Sequence, residues 1–314
     1  MKKLSNISKL LARFFKDCKE FSIKVGYARL YRDCPWIAWE KRREKYETIV
    51  YDYLKKEYSD LIKGLKNTEN GKRVKNSENI WVMWWQGEKG MPPIVNACYQ
   101  QLKKVAYDKK IVLLTQENVY DYVTIPDDIK KKVTTGQITL THFSDIVRVI
   151  LLEKYGGLWV DATVYVTSLP KEFFDQQFFT LRKHNLFPEF ISRGDWSPYL
   201  FFDNGDNSKL FQCVKEVFFV YWRTHNEIID YLMIDFIIKL IQDTIPEVQE
   251  IFNGVSETEG FYDLNLKLND IYNENTWKEI CGKSYFHKLT YKKEFVNFNK
   301  EGKETYYHWL IHRK

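Results

Sequence analysis

The feature that most narrows the fold lies between residues 80 and 114. Ile80-Trp81-Val82-Met83-Trp84-Trp85 is a short apolar run closed by Gln86-Gly87, and Ile111-Val112-Leu113-Leu114 is a second. Neither run alternates polar with apolar, so each reads as a strand buried on both faces. Between them Pro92-Pro93 opens a helical stretch reaching about Lys104, because Pro is tolerated in a first turn. Strand, helix and strand in about 35 residues form a βαβ unit, which requires a parallel sheet covered by helices.

The same order continues downstream. Pro126-Asp127-Asp128 starts a short helix. Thr141 or Ser144 is expected to cap a longer helix, which stops at Gly156-Gly157. Residues 158–160 and 164–166 read as strand on either side of Asp161. A further strand is expected near 178–181, and helices near 208–222, 226–243 and 277–281. No internal repeat or low-complexity tract interrupts this order.

The first quarter is of another character. Leu4, Ile7, Leu10, Leu11, Phe14, Phe15, Cys18 and Phe21 recur at helical spacing, with Lys3, Lys9, Arg13, Lys16 and Lys19 between them. A second helical stretch covers about 38–66, after a break at Asp33-Cys34-Pro35, and polar residues 67–76 form a boundary. Residues 1–75 carry 20 Lys and Arg against 10 Asp and Glu, whereas the remainder carries 28 against 32. The chain of 314 residues therefore divides into a basic helical extension, 1–75, and an α/β domain, 76–314.

Composition excludes several classes. No run of 18 apolar residues exists, so no transmembrane helix is expected, and Lys2-Lys3 is not followed by the apolar core of a secretory signal. Five widely spaced cysteines without a CxxC pair give neither a zinc ribbon nor a disulfide framework, and point to a reduced, cytoplasmic compartment. The basic extension could meet nucleic acid, but no nucleic-acid module follows it, and none is expected as a partner.

Chemistry concentrates in Ser144-Asp145-Ile146-Val147-Arg148 and Tyr155-Gly156-Gly157-Leu158-Trp159-Val160-Asp161-Ala162-Thr163. Asp145 and Arg148 lie three apart and share a helix face, which alone reads as an ordinary surface ion pair. Asp161 shifts that reading. It ends an apolar strand, and ligands in open α/β sheets gather beyond the carboxyl ends of strands. The Gly-Gly break folds the chain sharply and brings Asp145, Arg148 and Asp161 toward one cleft. A carboxylate there takes a ribose hydroxyl or a hard cation, and Arg takes phosphate or sugar hydroxyls.

These residues resemble the core motif of sugar-transferring enzymes with the nucleotide-binding GT-A fold, the DXD glycosyltransferases. They are closest to the bacterial capsular polysaccharide synthesis glycosyltransferases, through Ile80-Trp81-Val82-Met83-Trp84-Trp85-Gln86-Gly87, Met91-Pro92-Pro93 and Trp159-Val160-Asp161-Ala162-Thr163. The likeness covers about residues 78–290. It implies a GT-A-like, Rossmann-type sheet flanked by helices. It also implies a donor such as a UDP-hexose, with galactose or glucose as the sugar. Asp145 and Arg148 would hold the hexose, Asp161 would contact the ribose, and Trp84, Trp85 or Gln86 would lie near the base. A divalent cation, Mn²⁺ or Mg²⁺, would sit at Asp161. Thr163 departs from the wider pattern, which has a second carboxylate there, so His287 or His308 is the candidate to complete the metal site.

Two further residues draw on the same likeness. Asp235, among Leu232, Met233, Ile234, Phe236 and Ile237, is placed at the reacting sugar, or else in a buried structural pair. Trp196 is placed under the acceptor sugar, or else in the core. The resemblance implies retaining transfer without an enzymic nucleophile, onto a polyprenyl-diphosphate-linked acceptor at the inner face of the cell membrane. The basic extension would touch that anionic surface, or pack as a layer on the catalytic domain. A non-catalytic scaffold with a decayed motif and a glycosidase are the competing classes.

Overall fold

A computed structural model describes residues 2–34, 37–68, 78–206 and 208–313. Three helices open it: α1 (Lys2–Glu20), α2 (Ile23–Arg32) and α3 (Trp39–Lys66). The boundary expected at 67–76 falls mostly outside the described residues. β1 (Asn79–Met83), α4 (Pro93–Val105) and β2 (Lys110–Leu114) make the expected βαβ unit, and the short helices α5 (Val119–Tyr122) and α6 (Asp127–Thr134) lead to α7 (Leu140–Tyr155). Then come β3 (Gly157–Val160), β4 (Val164–Val166), β5 (Phe178–Thr180) and β6 (Leu200–Asp203). Four helices follow: α8 (Ser208–Thr224), α9 (Met233–Thr244), α10 (Pro246–Asn253) and α11 (Asp263–Leu266). The chain closes with α12 (Glu274–Lys283), β7 (Phe286–Lys288) and α13 (Tyr306–His312).

The main sheet has the order β2-β1-β3-β6-β5. β2, β1 and β3 are parallel, with Ile80 opposite both Ile111 and Leu158. β6 runs antiparallel to β3 and β5, so the sheet is mixed, not wholly parallel as expected. Strand residues alternate between two cores, as a pleat requires. Trp81, Met83, Trp159 and Phe201 face one side with α3, α7, α8 and α9. Ile80, Val82, Leu158, Val160 and Phe202 face the other with α4, β4, β7 and α13. The result is the α/β, GT-A-like class expected from the sequence, with helices on both faces.

α3 shows how its residues join this core. Tyr46, Val50, Leu54, Tyr58 and Ile62 are spaced by four, form one ridge and are buried. They belong to the same apolar cluster as α8 and α9, each contributing about 1.5–3 kcal/mol by burial. The extension is therefore a layer packed on the sheet-bearing part of the chain.

Two local expectations are corrected. Thr139, not Thr141 or Ser144, caps α7: its hydroxyl accepts the His142 N–H at 3.3 Å, one turn earlier than periodicity indicated. The helix expected from 226 begins only at Met233. Residues 226–232 turn instead, because Asp230 Oδ1 accepts the Leu232 N–H at 2.8 Å, while Tyr46 and Arg29 donate to the Ile229 carbonyl. Those partners lie 200 and 183 residues upstream, in α2 and α3, so tertiary contact overrides helical propensity.

Candidate functional site

A cleft of about 760 Å³ opens beyond the carboxyl ends of β1 and β3, the place where an α/β sheet gathers ligands. Gly156 makes it possible. It has φ of 67°, and a Cβ there would lie 2.8 Å from the Asp203 carbonyl oxygen, so only glycine lets α7 turn directly into β3. The turn sets Arg148, near the middle of α7, against Asp161, just past the end of β3.

Arg148 is 3% exposed. Its guanidinium donates to Asp161 Oδ1 and pairs with Asp145 Oδ1, each at 3.1 Å, and lies 4.9 Å from the centre of the Trp159 ring. Asp161 Oδ1 also accepts the Trp159 indole N–H at 2.9 Å. On the far side, Asp145 Oδ2 faces His142 Nδ1 at 3.5 Å, and His142 Nε2 accepts the Trp222 N–H. The three motif residues meet in a chain of alternating charge set among aromatic rings, but only Arg148 and Asp161 line the cleft; Asp145 stands behind Arg148.

One member of that chain was not found by sequence reasoning. Lys288, on β7, donates to Asp161 Oδ2 at 3.0 Å and to Thr163 Oγ1 at 2.8 Å, with its ammonium 4.4 Å from the Tyr199 ring centre. Its place follows from the backbone. β4 leaves the main sheet after Asp161 and pairs antiparallel with β7, setting Val164 opposite Lys288, and the Leu289 N–H donates to the Thr163 carbonyl at 2.9 Å. The usable signal was a lone lysine between Phe286 and Leu289, beside the His287 that was noticed. Burial raises the Asp161 carboxyl, but Lys288 and Arg148, with the Trp159 N–H, outweigh it and hold the group below the usual carboxylate range.

Trp84, Trp85 and Gln86 line the same cleft, just past the end of β1. Trp84 meets Tyr291 edge-on at 5.6 Å. Tyr231, which is 64% exposed, and Tyr262 complete the aromatic wall. Asn265 also lines it, with an Oδ1 that is buried and has no hydrogen-bond partner. None of these last residues carries a periodic signal.

The other candidates lie elsewhere. Trp196 is 4% exposed and donates its indole N–H to Asp235 Oδ1 at 2.7 Å. Neither residue lines the cleft; Trp196 borders a separate cavity of about 640 Å³. Asp235 has no cationic partner among the described residues, and burial, with help from Asp145, pushes its carboxyl up to about 8. It is a buried acid held by an indole. His287 points away from Lys288, as neighbours on a strand must, is fully buried, and burial lowers its imidazole to about 4. His308 faces Phe298, Glu304 and His312.

Neither histidine lines the cleft, so nothing completes a metal site at Asp161. Among the described residues no group of three or more His, Cys, Asp or Glu is arranged to hold a metal ion. The donor set at Asp161 is one carboxylate and one hydroxyl, with an ammonium between them. With both Asp161 oxygens already taken by Lys288 and Arg148, these residues do not fit Mn²⁺ or Mg²⁺, which need a carboxylate free to bind the ion beside a ligand's oxygens.

The chain resembles known proteins in two ways. A segment of 98 residues is 31% identical to the O-glycosyltransferase braB of Annulohypoxylon truncatum, over 28% of this chain and 23% of that protein, so the chain spans about a quarter of this relative's length. No solved structure matches. The family model for capsular polysaccharide synthesis proteins matches residues 37–310, from the start of α3 through the whole sheet and the cleft, and the chain belongs to that family.

Proposed function

We propose that this protein is a glycosyltransferase of polysaccharide synthesis. It moves a hexose, galactose or glucose, from a UDP-sugar onto a lipid-linked glycan intermediate. The observation that carries the proposal is the convergence of Arg148 and Lys288 on Asp161 at the carboxyl end of β3, in a cleft with an aromatic wall. Cations fixed there suit a diphosphate leaving group. Trp84 and Trp85 offer faces for a base. Family membership and the partial relative point the same way.

In the reaction the bond from the anomeric carbon to the diphosphate oxygen breaks, and its electron pair stays on the diphosphate. The acceptor hydroxyl oxygen forms the new bond to the anomeric carbon, and its proton leaves with the diphosphate. The resemblance supports attack from the face the leaving group departs, with retention. Arg148 and Lys288 act by stabilising the charge that develops on the leaving group. A glycosidase would need one carboxyl held protonated and another free beside it. Asp145 and Asp161 both bind Arg148, and Asp161 is held ionised, which favours transfer. Tyr231, exposed in the cleft, takes the acceptor-facing position first given to Trp196.

No helix among the described residues is long and apolar enough to cross a membrane. α1 exposes Leu11 and Phe15, and α2 exposes Ile23 and Tyr27, beside Lys19 and Lys24. These residues support peripheral attachment to an anionic, inner-face membrane surface, where a lipid-linked acceptor resides. The function is tested by incubating the protein with UDP-glucose, UDP-galactose and a short lipid-linked acceptor, and measuring UDP release and acceptor glycosylation. UDP release and glycosylation, both abolished by Arg148→Ala, are expected; no release with either donor would sink the reading.

A further inference from the structure

We propose that Lys288 is the built-in cation of this site, taking at the donor diphosphate the place that a divalent metal would otherwise hold between residues 161 and 163. The proposal rests on the donor reading above and deepens it, because it sets Lys288 in the place of a divalent metal and makes donor binding independent of one. Lys288 Nζ reaches both residues at once, 3.0 Å from Asp161 Oδ2 and 2.8 Å from Thr163 Oγ1. An ammonium has three N–H donors, so one remains beyond these two oxygens. The side chain is 21% exposed at the cleft wall, which leaves that donor within reach of a ligand oxygen.

Charge explains the pairing of Thr163 with Lys288. Two carboxylates with a divalent cation sum to zero. One carboxylate, one hydroxyl and one ammonium also sum to zero. A hydroxyl at 163 and an ammonium at 288 are thus a matched exchange, and Thr163 is a positioning residue for Lys288. Three restraints fix the ammonium: the two oxygens, the Tyr199 face, and a strand locked opposite β4. A cation placed before the ligand arrives needs no reorganisation as charge develops. Arg148, on the other oxygen of Asp161, supplies the second fixed charge.

The test is calorimetric titration of the purified full chain with UDP, GDP and CDP, in EDTA and again in Mn²⁺. UDP is expected to bind in EDTA with a Kd within about twofold of that in Mn²⁺. Lys288→Met is expected to weaken that binding roughly 30-fold or more, while Lys288→Arg recovers most of it. Thermal melts of both variants identify any loss of fold, and the arginine variant keeps the test decisive if the methionine one does not fold. Binding that requires Mn²⁺ in the wild type overturns the role of Lys288 and leaves the donor reading intact. Unchanged affinity in folded Lys288→Met overturns it too. No binding of any diphosphate in either buffer overturns the donor reading, and this proposal with it.

Discussion

Two regions of the molecule gather basic side chains, and they use them in opposite ways. In the cleft, Arg148 and Lys288 converge on one carboxylate, and Lys288, 21% exposed at the wall, keeps an N–H toward the cavity. In the neighbouring groove of about 960 Å³ between α1, α2, α3 and the 226–232 turn, the basic residues face protein. There Arg29 holds Asp17 and the Ile228 and Ile229 carbonyls, Arg43 holds Glu47 and Asp230, Arg32 reaches Asp33 and Asp230, and Lys16 reaches Glu227. Tyr231 lines both cavities and marks the border. The lesson is that a basic patch read from composition says little about ligands. What matters is whether a cation held by the protein's own acids and carbonyls still keeps a donor at an open cavity wall, as Lys288 does.

That contrast can be broken experimentally. Asp161→Asn should lower kcat for sugar transfer by roughly 10²–10³-fold, and by far more than the accompanying fall in melting temperature explains, since Arg148 and Lys288 lose the carboxylate that aligns them. Arg29→Met, in the groove, should do the reverse. It should cost about 3–5 kcal/mol of unfolding free energy in denaturant titration, because it strands the buried Asp17 carboxylate, and leave UDP affinity within about twofold. Loss of UDP affinity in that variant would erase the distinction between the regions.

Gly156→Ala tests the joint that places Arg148. Positive φ and the Asp203 carbonyl should together cost at least about 1–3 kcal/mol, read as a lowered denaturant midpoint. A smaller effect belongs to Asp235. Its pKa rises from an ordinary 3.8 to about 8 on folding, so the native state holds a proton that the unfolded chain gives up between those values. Stability contributed by the neutral acid is therefore present at low pH and declines as pH rises from about 4 toward 8. Asp235→Asn keeps an acceptor for the Trp196 N–H and should flatten the melting temperature over that range. A wild-type slope retained in the variant would show that the pH dependence lies elsewhere. The smallest change concerns the surface. Phe15→Asp with Ile23→Asp should reduce flotation with anionic vesicles and leave UDP release in solution unaltered.

Much of the fold was legible. The runs at 80–85 and 111–114, the proline-opened helix and the Gly-Gly break are local signals, and β1, α4, β2, α7 and β3 stand where they indicated. β6 and β7 were missed because their antiparallel pairing with β3, β5 and β4 is set across more than 20 residues of sequence and leaves no local trace. At the site, Asp145, Arg148 and Asp161 were found because sixteen residues and one sharp turn connect them. Trp196 and Asp235 were left between two readings because an aromatic ring or an acid in an apolar context reads alike whether it faces a ligand or the core. Their mutual hydrogen bond spans 39 residues of sequence and leaves no local trace.

By itself the sequence determined the α/β class, the strand that ends on Asp161, and the helix face that carries Asp145 and Arg148. Each depends on contacts within a turn or two, and periodicity records those. Only the tertiary structure decided what stands between Asp161 and Thr163. The ammonium there arrives from a strand 127 residues beyond Asp161, set by the pairing of β4 with β7. A threonine that looked like a missing ligand is, in the fold, the oxygen that holds Lys288 in place.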